Sequence, residues 1–217
     1  MAARAKPAPA ADLAQRQKPV QARAIRSRAH ILEVAGSLLE EVGFDGFNTN
    51  LLADRADVRV RTVYRYFPNK LAVVAAVGEI LFEKWARWNT AHFEIIATPG
   101  SDWEAQLPKM LNEWGARLSR EPGGWAVLQT LNAIPQLREL DRAAFEGLAV
   151  QWREAIQRRA PRHEGDLTSL SYAIITVTYA YFDSFGRLPE DQRPLVASEL
   201  AGMIAMRLRP VLDGAEQ

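Results

Sequence analysis

Within eight residues, Arg59 to Tyr66 hold three guanidinium groups, the hydroxyl of Thr62 and the phenols of Tyr64 and Tyr66. Guanidinium forks and hydroxyls donate hydrogen bonds to phosphate oxygens and to the acceptor edge of guanine. On a helix whose Val58 and Val63 turn towards a core, Arg59, Arg61, Thr62, Arg65 and the two rings are left facing outward. That chemistry recognises; it does not make or break bonds. The rest of the 217-residue chain offers little for catalysis. It contains no cysteine, which excludes disulfides, zinc ribbons and thiol nucleophiles, and only three histidines. A helical enzyme using His92 or His163 as a base in a C-terminal cavity is one alternative, although Glu94 and Glu164 are merely their sequence neighbours. No catalytic group, metal site or cofactor is expected.

Charge separates along the chain. Lys and Arg number 27 against 26 Asp and Glu overall, but residues 1–70 hold 12 against 7 and the remainder 15 against 19. The positive end is therefore the end with the arginine-rich run. Residues 1–20, rich in Ala, Pro, Lys and Arg and without apolar periodicity, read as a disordered basic tail. Arg4, Lys6, Arg16 and Lys18, with Arg23, Arg26 and Arg28 beyond, suit either a solvated tail or an arm on the phosphate backbone or minor groove. The uncharged stretch 167–182 is too short and too rich in Ser and Thr to span a bilayer. No apolar signal segment is apparent, and a cytoplasmic setting without membrane contact is expected.

The elements that must position the run are helical. Ile25, Ala29, Leu32, Ala35, Leu39 and Val42 recur at three-and-four spacing, predicting a first helix from Ala22 that Gly43 stops. Asn48 is a fitting N-cap for a short second helix carrying Leu51, Leu52 and Ala56, with small Ala53 permitting close helix contact. Asp57 makes a turn, and a third helix follows, ending near Phe67 because Pro68 disfavours helical geometry before it. Asn69 caps a fourth helix running to about Asn89. A helix packed across a second one, with polar groups at its exposed N-terminal positions, is the arrangement that enters a major groove.

The segment HILEVAGSLLEEVGFDGFNTNLLADRADVRVRTVYRYFPNK resembles the DNA-binding head of the tetracycline-repressor (TetR) family, above all in TVYRYFPNK. The resemblance implies that Thr49, Thr62 and Tyr64 contact phosphate, that Tyr66 lies along the backbone, and that Lys70 neutralises a phosphate at the start of the fourth helix. It places Asn50, Arg59, Val60 and Arg61 where family members touch base edges. Two positions depart from the pattern: Asp57 stands where the turn usually has Gly, and Arg59 where the third helix usually opens with Ser. Asp tolerates left-handed geometry better than most residues, so the fold expectation survives while the start of the third helix is left open.

Beyond residue 70 the reading rests on pattern. A linker through Thr98, Pro99, Gly100 and Ser101 precedes helices expected near 102–119, 123–133, 136–160, 166–186 and 190–212. The expected fold is all-α with about nine helices. A helix-turn-helix head at 21–70 joins, through helix four, a helical effector-binding and dimerisation domain at 71–217. The last two helices are apolar on more than one face, so they should pack on both their own subunit and a partner. Ile174, Thr178, Tyr181, Phe182, Phe185, Ala201, Ile204, Ala205 and Leu208 are the expected homodimer seam. Trp85, Trp88, Trp103, Met110, Trp114, Trp125, Gln129, Trp152, Tyr172 and Tyr179 could line a pocket for a small apolar or aromatic effector, or be ordinary core. The function implied is a regulator, most simply a repressor, released from a palindromic double-stranded operator by that effector. A ligand-independent architectural DNA-binding dimer is the other reading.

Overall fold

The computed structural model describes residues 12–13 and 21–213; the expected tail residues Arg4, Lys6, Arg16 and Lys18 lie outside them. The described residues form nine α-helices and no strand: α1 Ala22–Gly46, α2 Thr49–Arg55, α3 Val60–Tyr66, α4 Lys70–Ala97, α5 Trp103–Leu118, α6 Gly124–Ala133, α7 Arg138–Arg159, α8 Leu167–Phe185 and α9 Arg193–Leu212. The chain divides into two compact units. One comprises residues up to Ile80 together with Pro122–Asp141; the other comprises Leu81–Glu121 and the residues from Arg142 onward.

In the first unit, Gly43 adopts φ 66° and ψ 175°, which breaks α1 before a final short turn. Leu32, Ala35 and Leu39 of the expected face are buried, with Ile31 and Leu38 beside them, whereas Ile25 is exposed. Asn48 caps α2 by accepting from the Leu51 amide at 2.9 Å, and Asn69 caps α4 by accepting from Ala72 at 2.9 Å. The unit includes α6, which the sequence grouped with the C-terminal half. The reason is a backbone-to-backbone fit between two glycines. A Cβ on Gly36 would lie 2.3 Å from the Pro122 carbonyl oxygen, and one on Gly123 would lie 2.1 Å from the Gly36 oxygen. Gly123 also sits at φ 70°, and its amide donates to the Glu40 carboxylate at 3.2 Å.

In the second unit, α5 packs along α9 and both meet α8. Gly115 admits the Phe185 ring, which a Cβ there would meet at 2.2 Å. Arg209 makes a bidentate pair with Glu104 at 2.6 and 2.7 Å, and Arg158 does the same with Glu94 at 2.7 Å. In both pairs the guanidinium holds the carboxyl below its ordinary range. Within α4 the helix runs eight residues past the expected end at Asn89. Asn89, His92, Phe93 and Ile96 continue a buried stripe, and the chain turns only at Pro99 and Gly100.

Candidate nucleic-acid interface and ligand cavity

Asp57 takes φ 50°, the left-handed turn that Gly would supply. Arg59 is then the extended N-cap of α3, at φ −68° and ψ 140°, and its side chain makes no capping bond. The third helix therefore starts at Val60. Inward, Val63 and Phe67 are fully buried and Leu52 and Ala53 of α2 pack beneath them. Outward, Asn50, Arg59, Val60, Arg61 and Tyr64 are exposed and Thr62 half-buried. The Tyr64 hydroxyl, on a ring 39% exposed, shares a 2.9 Å hydrogen bond with Thr49 Oγ1, where either oxygen can donate. Thr49 itself is 8% exposed, so it fixes the position of the Tyr64 oxygen more than it meets solvent.

Tyr66, expected along the DNA backbone, and Lys70, expected on a phosphate, both have hydrogen-bond partners within the chain. Tyr66 is 1% exposed; its hydroxyl donates to the Ala24 carbonyl at 3.3 Å and accepts from Arg65 at 2.6 Å. It anchors α3 to α1, because a phenol one turn below Thr62 on this helix points at the core. Lys70 Nζ donates to the Phe44 and Phe47 carbonyls at 3.0 and 3.4 Å and lies 4.1 Å from the Phe44 ring centroid. The ammonium satisfies carbonyls that the break at Gly43 exposes, and so braces the α1–α2 connection. Arg23 and Arg26 of the expected arm are exposed on α1, while Arg28 stacks on Phe67, 5.7 Å from its centroid.

In the second unit, Trp85 and Asn89 of α4, Trp114 of α5, Leu148 of α7, and Thr178, Tyr179 and Phe182 of α8 line one small cavity. Trp85 and Phe182 rings stand 6.4 Å apart, and Trp114 and Phe182 rings 5.6 Å. Three buried polar atoms on the lining have no hydrogen-bond partner: Trp85 Nε1, Trp114 Nε1 and Asn89 Oδ1. Of the ten expected pocket residues the cavity gathers Trp85, Trp114 and Tyr179. Trp88 is half-buried under the Arg117 guanidinium, 5.3 Å from its ring. Trp103 donates to Asp213 at 3.3 Å, Met110 is core, and Trp152 meets the Phe93 ring at 5.3 Å. Tyr172 is exposed and stacks on Phe145 at 5.8 Å. Trp125 and Gln129 sit on α6 in the other unit. Asn89 and Leu148 were missed, although Asn89, one helical turn after Trp85 in a stripe of apolar residues, carried a readable signal.

Ile174, Thr178, Tyr181, Phe182, Phe185, Ala201, Ile204, Ala205 and Leu208, the expected seam, are buried within the subunit. Thr178 and Phe182 line the cavity, whereas Ile174 and Ile204 reach the outer face. The outer stripe holds exposed Val177, Met203 at 62% and Met206 at 68% exposure. Leu170, Ala173, Val177, Leu200 and Met203, with Ile174 and Ile204 of the expected seam, line a shallow groove along it, ended by Asp166 and Arg207.

His92, a candidate base in the enzyme alternative, has Nδ1 2.6 Å from Gln106 Nε2 and Nε2 3.4 Å from Glu113. Burial pushes its pKa down, against the pull of Glu113. Among the described residues no grouping could hold a metal ion, and no helix is long and apolar enough to cross a membrane.

Residues 31–77 match the family model for bacterial regulatory proteins, tetR family. The chain is 40% identical over 52 residues to the HTH-type transcriptional repressor KstR of Mycobacterium tuberculosis; the match spans 24% of this chain and 24% of that protein. In fold the likeness covers nearly the whole chain. A TetR-family transcriptional regulator from Mesorhizobium loti superposes with a TM-score of 0.70 at 16% identity, over 88% of this chain and 98% of that one. SmeT, the repressor of the Stenotrophomonas maltophilia multidrug efflux pump SmeDEF, gives a TM-score of 0.64 at 19% identity over 83% and 88%; SmeT has also been solved with triclosan. In head sequence, helix order and whole-chain fold this chain is similar to the TetR family of bacterial regulatory proteins.

Proposed function

We propose that the chain is a homodimeric transcriptional repressor that binds a palindromic DNA operator and leaves it when a small molecule enters the second unit. The observation that carries the DNA half is the outward row of α3, with Arg59, Val60, Arg61, Thr62 and Tyr64 on a helix anchored by Val63 and Tyr66. Arg59 and Arg61 suit guanine N7 and O6 by two parallel hydrogen bonds, worth about 1–3 kcal/mol of discrimination each. Asn50 and Val60 add base-edge contacts, while Thr62 and Tyr64, held by Thr49, reach phosphate. One head reads half of a site, and a dimer presents two about 34 Å apart. The outer stripe of α8 and α9, with Val177, Met203 and Met206, is the face for that dimer.

The effector half is supported by the aromatic cavity and by its placement on α4, whose first turn is braced in the head by Asn69 and Lys70. A ligand that shifts α4 changes the spacing of the two heads, and a coupling of about 1–3 kcal/mol releases DNA 5- to 150-fold. Selecting bound sequences from random DNA tests the proposal. Enrichment of an inverted repeat with half-sites one helical turn apart is expected, together with loss of that repeat for Met203→Glu/Met206→Glu, which should be monomeric by light scattering. Recovery of no repeat would favour an architectural DNA-binding dimer.

A further inference from the structure

The cavity of the second unit has an unusual lining. Its walls are aromatic and aliphatic, none of its seven lining residues is charged, and as it stands it has space for about one water molecule. Three of the residues around that space carry a buried polar atom without a partner: the indole N–H of Trp85 and of Trp114 and the amide oxygen of Asn89. Asn89 is 2% exposed. Thr178 Oγ1 has spent its hydrogen on the Ile174 carbonyl at 2.8 Å. Buried polar groups are almost always satisfied, and three orphans around one hole ask for one atom that both accepts and donates. A hydroxyl oxygen does so, accepting from an indole N–H and donating to Asn89 Oδ1. A charged group would be stripped of water with no opposite charge to meet it.

Resting on the effector reading above, we infer that this cavity is an oxygen subsite for an uncharged aromatic alcohol of the phenol class, the hydroxyl entering between Trp85, Trp114 and Asn89. The attached ring lies against Phe182 and Leu148, which must turn aside to admit it; aromatic edges and faces around it give the geometry that ring pairs prefer. Apolar molecules of the same shape leave the three orphans as they are, and cations find no carboxylate.

The test is calorimetry on the full chain with p-cresol, toluene and benzyltrimethylammonium. p-Cresol is expected to bind at least about tenfold more tightly than toluene, and the cation not measurably. In Asn89→Leu, checked for an unchanged melting transition, the preference for p-cresol should fall to within about threefold. Equal binding of toluene and p-cresol by the native chain, which needs no variant, overturns the inference. So does the absence of p-cresol binding, which leaves a buried water as the occupant. Operator release is measured separately. If p-cresol binds with the stated preference and operator affinity is unchanged, the subsite stands and the effector reading fails. If an apolar molecule releases the operator equally from native and Asn89→Leu protein, the effector reading stands and the ligand class fails.

Discussion

Replacing Tyr64 by Phe removes one oxygen and nothing else from the outward row of α3. The ring is already 39% exposed, so packing is kept. The loss to folding is that of one hydrogen bond between neutral groups, the 2.9 Å contact with Thr49, about 0.5–1.5 kcal/mol. The loss to DNA binding is larger, because a hydroxyl on a phosphate oxygen is a hydrogen bond to a charged group, about 1.5–3 kcal/mol. Two heads make it about 3–6 kcal/mol, or two to four decades in the dissociation constant. No charge is removed, so the slope of log affinity against log salt should not change. Arg61→Ala contrasts with it. If Arg61 reads a base, preference at one base pair relaxes and the salt slope is again unchanged; if it holds phosphate, affinity falls for every sequence and the slope drops by about 0.9 per head. Thr49→Val, which keeps shape but frees the Tyr64 oxygen to move, should weaken binding in the same direction by less. Fluorescence anisotropy with operator and scrambled duplexes at several salt concentrations reads all three. Tyr64→Phe weakening the operator alone, or neither duplex, would refute the phosphate role.

The fit between α1 and α6 makes Gly123→Ala costly. A left-handed residue with a side chain loses about 1–2 kcal/mol, and the contact with Gly36 backbone adds about 1–3 kcal/mol of overpacking. Urea unfolding should show a loss of about 2–5 kcal/mol, and a loss under about 0.5 kcal/mol would mean that α6 moves away freely. For His92 the folded pKa is lowered, chiefly by burial, so below about 6.5 the unfolded chain takes up a proton that the folded chain resists. Its stabilisation is full above that pH and is lost as pH falls through the window. His92→Gln should flatten stability between pH 7.5 and 5.5 relative to native protein, and parallel profiles would show His92 to be indifferent.

The head was legible because its signals are local. Asn48 and Asn69 cap the helices they precede, Gly43 breaks where only a glycine sits easily at φ 66°, and Asp57 turns where expected. Tyr66 and Lys70 have partners within the chain that the motif does not announce, because both residue types serve either a phosphate or a carbonyl equally well. The choice depends on whether the chain elsewhere leaves an acceptor in reach. Here the interrupted end of α1 leaves the Phe44 and Phe47 carbonyls beside Lys70, and the Ala24 carbonyl meets Tyr66. Nothing in the local spacing of TVYRYFPNK records those oxygens.

The second unit was harder to read for a different reason. Both stripes of α8 are apolar, so period alone says that two faces are covered and not which faces inward. What decides is the fit of particular shapes: Gly115 receives Phe185, and small Ala197, Ala201 and Ala205 are buried on α9 while the flexible Met203 and Met206 remain outside. Small residues seat a helix against its own fold, and methionines, which adapt to irregular partners, suit a surface that meets another chain. Among the buried tryptophans an unspent N–H and the cavity coincide only in part. Trp103 reaches Asp213, so its N–H is spent; Trp85 and Trp114 on the cavity, and Trp152 away from it against Phe93, are buried with theirs unspent. A ligand site is thus marked by unsatisfied polar atoms that share a cavity, and neither rings nor unsatisfied atoms suffice alone. Those can be counted only once every neighbour is in place.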